Sequence, residues 1–232
     1  MVASELPRAL LELSDTSGID DVDGYARRLV RCSLDLTRAT AAAVVLRDDH
    51  GRLRVGAARP DWIRALPEAA IASGAGPAVE CCRSLNPVCV PDVTECDWPG
   101  FAEMARGLGI SGGYATPLHR GERVFGALAV YCDDFGAHRE NIVCVCRALA
   151  AAAAIALANF AECERLRVLS GQLQTALDSR VVIEQAKGIL AERRGLTVDE
   201  AFAILRKVAR ENNLRLHDVA RATVRTVKTR PA

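Results

Sequence analysis

Arg180, Lys187 and Arg194 stand seven residues apart, Arg206 and Arg210 four apart, and Arg221, Arg225 and Lys228 four and then three apart. On helices these spacings bring side chains back to one face, so each set forms a stripe of cations. Such stripes can neutralise successive phosphates of a polyanion. An ordinary solvated face is the plainer reading of any one stripe, but the chain's charge is unevenly spread. Residues 1–179 carry 18 Arg against 23 Asp and Glu, a balance of −5, whereas residues 180–232 carry 12 Lys and Arg against 6 acids, a balance of +6. A basic module with an anionic partner thus follows a module of another kind.

Lys187 is followed by Gly188 inside a helical pattern, where glycine costs about 1 kcal/mol relative to alanine. With Ala186 set at zero and about 100° per residue, Val182, Ile183, Ile189 and Leu190 cluster around it as a core side. Gly188 falls nearly opposite, so core packing does not explain it. A small exposed residue there lets a nucleic-acid backbone or a second subunit approach closely.

Cysteine is the other reactive side chain. Cys81, Cys82, Cys89 and Cys96 lie close together, yet none forms a CxxC pair, and Cys144 and Cys146 point to different sides of a helix. Metal ligation is poorly supported by that spacing. A redox-sensing thiol at Cys81, Cys82 or Cys96 stays open beside the reading of small hydrophobes. Nine cysteines in 232 residues, an odd number, read as reduced thiols. No lysine precedes Lys187, which excludes from the first 186 residues a GK[ST] phosphate loop, a Schiff-base lysine and a phospho-receiver's lysine. With no triad or paired carboxylates, the chain reads as a non-enzyme. It shows no secretory leader, and the apolar run 148–158 is too short to span a bilayer, so a cytoplasmic protein is expected.

Several elements must position these residues. An amphipathic piece at Leu6–Leu13 precedes a helix at about 22–38. AAAVVLRDDHGRLRVGAAR reads as a hairpin turning at Asp49-His50-Gly51. Residues 60–104 are rich in proline and irregular, with one short strand in PVCVPD, and a covering loop of that length suggests a lid. GGYATPLHRGERVFGALAVYCD reads as a second hairpin turning at Arg120-Gly121-Glu122. A helix from about 138 to 179 follows, with Leu166, Leu169, Leu173, Ala176, Arg180 and Ile183 at steps of three and four, a short heptad seam. This order predicts an α+β domain, an antiparallel sheet with helices on one side. Three short helices then make an all-α bundle: 180–194 closed by Gly195, a second opened at 198 by the capping box Thr197–Glu200, and a third at about 215–228.

IEQAKGILAERRGLTVDEAFAILRKVARENNLRLHDVARATV, residues 183–225, resembles the ANTAR domain, the RNA-binding output module of bacterial transcription antiterminators. The carrying residues are Gln185-Ala186-Lys187-Gly188, Ala201-Phe202, Leu205-Arg206, Asn213 with Leu216, and Val219-Ala220. The pattern departs at Ala191, where a bulkier residue is usual. The resemblance implies a three-helix bundle that as a dimer binds paired hairpins in mRNA leaders and keeps a terminator from forming. Arg180, Gln185, Lys187, Gly188, Arg194, Arg206, Arg210, Arg221 and Arg225 are the expected RNA-facing residues. Phe202 is the only aromatic residue of this module, so base stacking falls mainly to arginine planes.

GAGPAVECC, VCVPDVTECDWPGFAEMARGLGISGGYATPL and GERVFGALAVYCDDFGAH resemble a GAF domain of the kind found in actinobacterial GAF-ANTAR proteins. This implies a sensor sheet whose pocket lies under residues 60–104, with an unidentified small-molecule ligand and dimerisation through flanking helices. Cys81, Cys82, Cys96, Trp98, Phe101, Tyr114 and Tyr131 are the candidate pocket residues. No cofactor is expected. The organisation read from the chain is an N-terminal segment 1–19, a GAF-like sensor 20–160, a helical linker or stalk 161–179 and an ANTAR module 180–232. The function expected is antitermination by RNA binding under control of the sensor. A thiol- or metal-based redox sensor and a DNA-binding regulator remain the competing readings.

Overall fold

The computed structural model describes residues 2–15 and 21–228, and it divides into two compact units, Met1–Glu162 and Cys163–Ala232. In the first unit, the Asp21 side chain accepts a hydrogen bond from the Gly24 N–H at 2.6 Å and opens helix α2, Val22–Thr37. Helix α1, Val2–Ser14, lies against it, tied by the Tyr25 hydroxyl donating to the Leu13 carbonyl at 3.1 Å.

Strands β1 (Ala41–Arg47), β2 (Leu53–Arg59), β3 (Val88–Val90), β4 (Gly112–Arg120) and β5 (Arg123–Cys132) form one antiparallel sheet in the order β2-β1-β5-β4-β3. Both expected hairpins are present. On β1, six consecutive residues are buried, and alternation sends them to two different cores. Ala42, Val44 and Leu46 join Leu128 and Val130 of β5 in a core with Tyr25 and Leu29 of α2 and Ile142, Leu149 and Leu157 of helix α6 (Arg139–Arg194). Ala41, Ala43 and Val45 join Ala127, Ala129 and Tyr131 in a second core on the opposite face.

That second core corrects two expectations. The sheet is covered on both faces rather than one, and the segment 60–104 is largely helical. It contains α3 (Ala65–Ser73), α4 (Pro77–Ser84) and α5 (Pro99–Gly107) besides strand β3. Pro77 and Pro99 occupy first helical positions, where the missing N–H has no partner to lose. Two of the prolines that suggest irregular chain are therefore helix starts, and these helices are too short to show a clear 3.6-residue period.

Helix α6 runs unbroken from Arg139 to Arg194, so the segments read as helices at about 138–179 and 180–194 are one helix. Neither proline nor a positive-φ residue interrupts it. By length and composition it contains an 18-residue window apolar enough to cross a membrane, with mean hydropathy 2.0, but half of that window is buried within the protein.

Gly126 sits where β5 passes β1, with φ at +149°. A Cβ there would lie 1.9 Å from the Val45 carbonyl oxygen. Gly126→Ala is expected to lower stability by on the order of 3 kcal/mol, through an unfavourable φ and a clash with backbone in the middle of the sheet. Urea unfolding followed by circular dichroism checks this, the expected result being a lower midpoint with an unchanged m-value.

Candidate nucleic-acid interface and sensor cavity

In the second unit, the C-terminal part of α6 packs with α7, Val198–Glu211, and α8, Leu216–Lys228. Gly195, with φ at +64°, ends α6. Thr197 then opens α7 by the expected capping box, with its hydroxyl accepting from the Glu200 N–H and the Glu200 carboxylate accepting from the Thr197 N–H at 2.8 Å. Asn213 adopts a left-handed conformation, φ +52°, and turns the chain into α8. These connections let Ala186, Leu205, Ala209, Val219 and Ala220 bury together, with Val182, Ile183, Leu190 and Leu216 against them.

The core so formed fixes where the charges go. Arg180, Gln185, Arg194, Arg206, Arg210, Arg221 and Arg225 are all exposed. Among the described residues, no carboxylate lies within ion-pair distance of Arg180, Arg194, Arg206, Arg210 or Arg221. The Lys228 side chain falls outside the described residues. Gly188 is exposed, and a Cβ added to it would meet nothing within 4 Å.

Lys187 differs from the other cations. Its side chain is only 14% exposed, and its ammonium donates to both Glu184 carboxylate oxygens at 2.9 and 3.0 Å. The same ammonium lies 5.3 Å from the centroid of the Phe202 ring, and the Arg206 guanidinium carbon lies 5.7 Å from it. Lys187 and Arg206, on different helices, thus meet at one aromatic ring. Sequence reasoning passes over Phe202 and Glu184 as functional residues. The signal that could have found them is a lone aromatic four residues before an arginine, and an acid three residues before Lys187.

In the sensor unit, Cys81, Cys82, Phe101 and Tyr131 belong to the core beneath α3–α5, and Cys96 and Trp98 pack against it. The Trp98 and Phe101 rings meet edge to face at 6.5 Å, and Phe101 lies 6.5 Å from Tyr131. Tyr114 differs from this group: its side chain packs in the core on the other face of the sheet, with residues of α2 and α6. The cavity bordered by Pro77, Val90, Phe101, Ile110, Tyr114 and Tyr131 is about 10 Å³, room for about one water, so Tyr114 borders it while belonging to the other core. It is a packed apolar core, into which a ligand enters only by displacing side chains.

Burial pushes the Cys81 thiol well above its ordinary range, an effect reinforced by neighbouring Cys82 and Glu80, and it pushes Cys82 up to about 11. Cys132 and Cys146, on the opposite core, are raised to about 11 and about 12, again chiefly by burial. These environments oppose thiolate formation, whereas a reactive cysteine needs the reverse. Among the described residues, no three His, Cys, Asp or Glu side chains converge as a metal site.

A model of the GAF domain matches residues 20–158, and a model of the ANTAR domain matches residues 171–224. The nitrate regulatory protein of Klebsiella oxytoca is 40% identical over 70 residues, 29% of this chain and 17% of that protein. The chain therefore spans a small part of that relative. Among solved structures, the GAF domain of the cyanobacteriochrome TePixJ superposes with a TM-score of 0.50 at 17% identity, covering 63% of this chain and 93% of that one. A bacteriophytochrome from the photosynthetic bacterium R. palustris gives 0.51 at 14% identity, over 88% of this chain and 45% of that one. At such identities the likeness is one of fold.

Two outcomes are expected from this geometry. Alkylation of the folded protein at pH 8 should label the exposed Cys144 and Cys163 first, and Cys81, Cys82, Cys132 and Cys146 only on unfolding; peptide mapping by mass spectrometry reads the order. Thr197→Ala should cost about 1 kcal/mol of stability. Hydrogen bonds from Thr197 hold the Glu200 carboxyl below its usual range, so its contribution is present above the ordinary glutamate pKa and fades as pH falls through the depressed value. Thermal melts read the loss in Thr197→Ala, and those of wild type and Glu200→Gln should therefore converge toward low pH, where the carboxyl is neutral like the amide.

Proposed function

From a chain that belongs to the GAF domain family and carries an ANTAR domain behind it, we propose an antitermination regulator that works by binding and not by catalysis. The ANTAR unit binds hairpins in mRNA leaders, and a small molecule acting on the GAF unit alters that binding. The reading places the protein in the cytoplasm as a homodimer.

The observation that carries it is the set of exposed arginines that, among the described residues, have no carboxylate within ion-pair distance, Arg180, Arg194, Arg206, Arg210 and Arg221, around the small bundle. Lys187 and Lys207 pair with Glu184 and Glu211, the latter pair at 3.8 Å. Gly188 leaves open space in which an RNA backbone fits close to the helix.

Dimerisation is supported by the apolar residues left on α6. Leu166, Leu169, Leu173 and Leu177 are between 42% and 58% exposed, an arrangement that costs hydration free energy in a monomer. A second copy of the same helix supplies a matching seam of leucines. The redox alternative loses ground at Cys81 and Cys82, which are buried with raised pKa values, and is left with the half-buried Cys96. A DNA-binding regulator remains distinguishable by its preference for duplex.

A gel-shift titration with tandem-hairpin leader RNA tests the proposal. Salt-sensitive binding is expected, with Arg210→Gln and Arg221→Gln each lowering the slope of log K against log salt by about 1. Binding that ignores salt, tighter binding to duplex DNA, or slopes unchanged in both variants would refute it. Arg221 and Arg210 suit the test better than Lys187, because a change at Lys187 also leaves Glu184 without its partner.

A further inference from the structure

Phe202 is an aromatic side chain without a place in the apolar core of its own unit. The residues that bury together there are Ala186, Leu205, Ala209, Val219 and Ala220, with Val182, Ile183, Leu190, Leu216 and Val224 packed around them. Phe202 stays half-buried beside them, with two cations within 6 Å of its ring centroid. The two cations are in different situations. Lys187 is largely buried and neutralised by Glu184, so its charge is spent within the protein. Arg206 is exposed, one helical turn after Phe202, and among the described residues has no carboxylate partner.

We propose that Glu184, Lys187 and Phe202 are positioning residues that hold the Arg206 guanidinium as a stacking surface for an unpaired base in the RNA loop. The inference rests on the RNA-binding reading above and divides the labour of its basic residues. Lys187 is not a phosphate contact: it locks the ring from the side of α6. Arg206 is the residue that touches a base.

The physical reasons are these. An aromatic face attracts a guanidinium through its quadrupole, and that attraction restricts an otherwise flexible side chain. A planar guanidinium can also stack on a nucleobase, which an ammonium cannot do in the same way. The ring itself is already engaged by two cations, so in a module with no other aromatic residue the arginine plane is the stacking surface available. Loop bases are splayed out and accessible to such a plane, whereas paired bases in a stem are not. The exposed arginines away from any aromatic ring, Arg210 and Arg221 among them, lack this support and act as point charges toward phosphates.

The test uses the full chain and tandem-hairpin leader RNA carrying 2-aminopurine at each loop purine in turn, since stacking quenches its fluorescence. Wild type is expected to quench at one loop position. Arg206→Lys keeps the charge and loses the plane, so it should abolish that quench and weaken binding by roughly 5- to 100-fold, with the salt slope unchanged. Phe202→Leu keeps apolar bulk and frees the guanidinium; the same loss of quench is expected, with circular dichroism confirming the bundle. Wild-type quench and affinity in Arg206→Lys, or no quench at any loop position, would overturn the stacking role while leaving salt-dependent RNA binding intact. Absence of salt-dependent RNA binding by wild type would overturn both this inference and the function it rests on.

Discussion

The pairing of β1 with β5 is the constraint on which the sensor unit depends. Ala41 to Leu46 run opposite Tyr131 to Gly126, and almost every side chain in this central pair is buried on one face or the other. A strand buried on both faces has no polar side to set its register, so register must come from packing and from close approach of the backbones. Gly126 supplies that approach, because only a residue without Cβ fits against the Val45 carbonyl. Small residues at Ala41, Ala43, Ala127 and Ala129 then bring the α3–α5 layer close to the sheet.

That layer explains the character of the sensor side. Aromatic rings and buried thiols fill the space under α4 and α5, and the cavity beside Phe101 and Tyr131 is about 10 Å³. The opposite core, which includes α6, shares the same central strands. Tyr131 and Val130 are adjacent on β5 yet belong to different cores, so a displacement of one strand is felt on both faces.

In the C-terminal unit the hydrophobic core is minimal and made largely of alanine, leucine and valine, which leaves the chemistry outside it. The capping box and the positive-φ residues Gly195 and Asn213 fix how the three helical segments meet. Once they meet, Lys187 is drawn inward to Glu184 and Phe202, while Arg194, Arg210 and Arg221 are left in water. Residues that look equivalent as a stripe of cations are therefore different in kind.

The sequence by itself determined both hairpins, the capping box at Thr197, the stop at Gly195 and the outward position of Gly188, because each is a local preference of turns, caps or helical period. It determined the ANTAR and GAF resemblances through short motifs of the same local kind. It did not reveal α3–α5, whose few turns give no period and whose prolines mimic loop, nor the continuity of α6, since two helices and one helix share a pattern when no breaker intervenes. Only the tertiary structure decided that both faces of the sheet are buried, that Tyr114 and Tyr131 lie in different cores, and that Lys187 is inward while Arg206 is outward. Those facts depend on what a side chain meets across the fold, and burial, ion pairing and ring contacts between distant residues leave no periodicity along the chain to read.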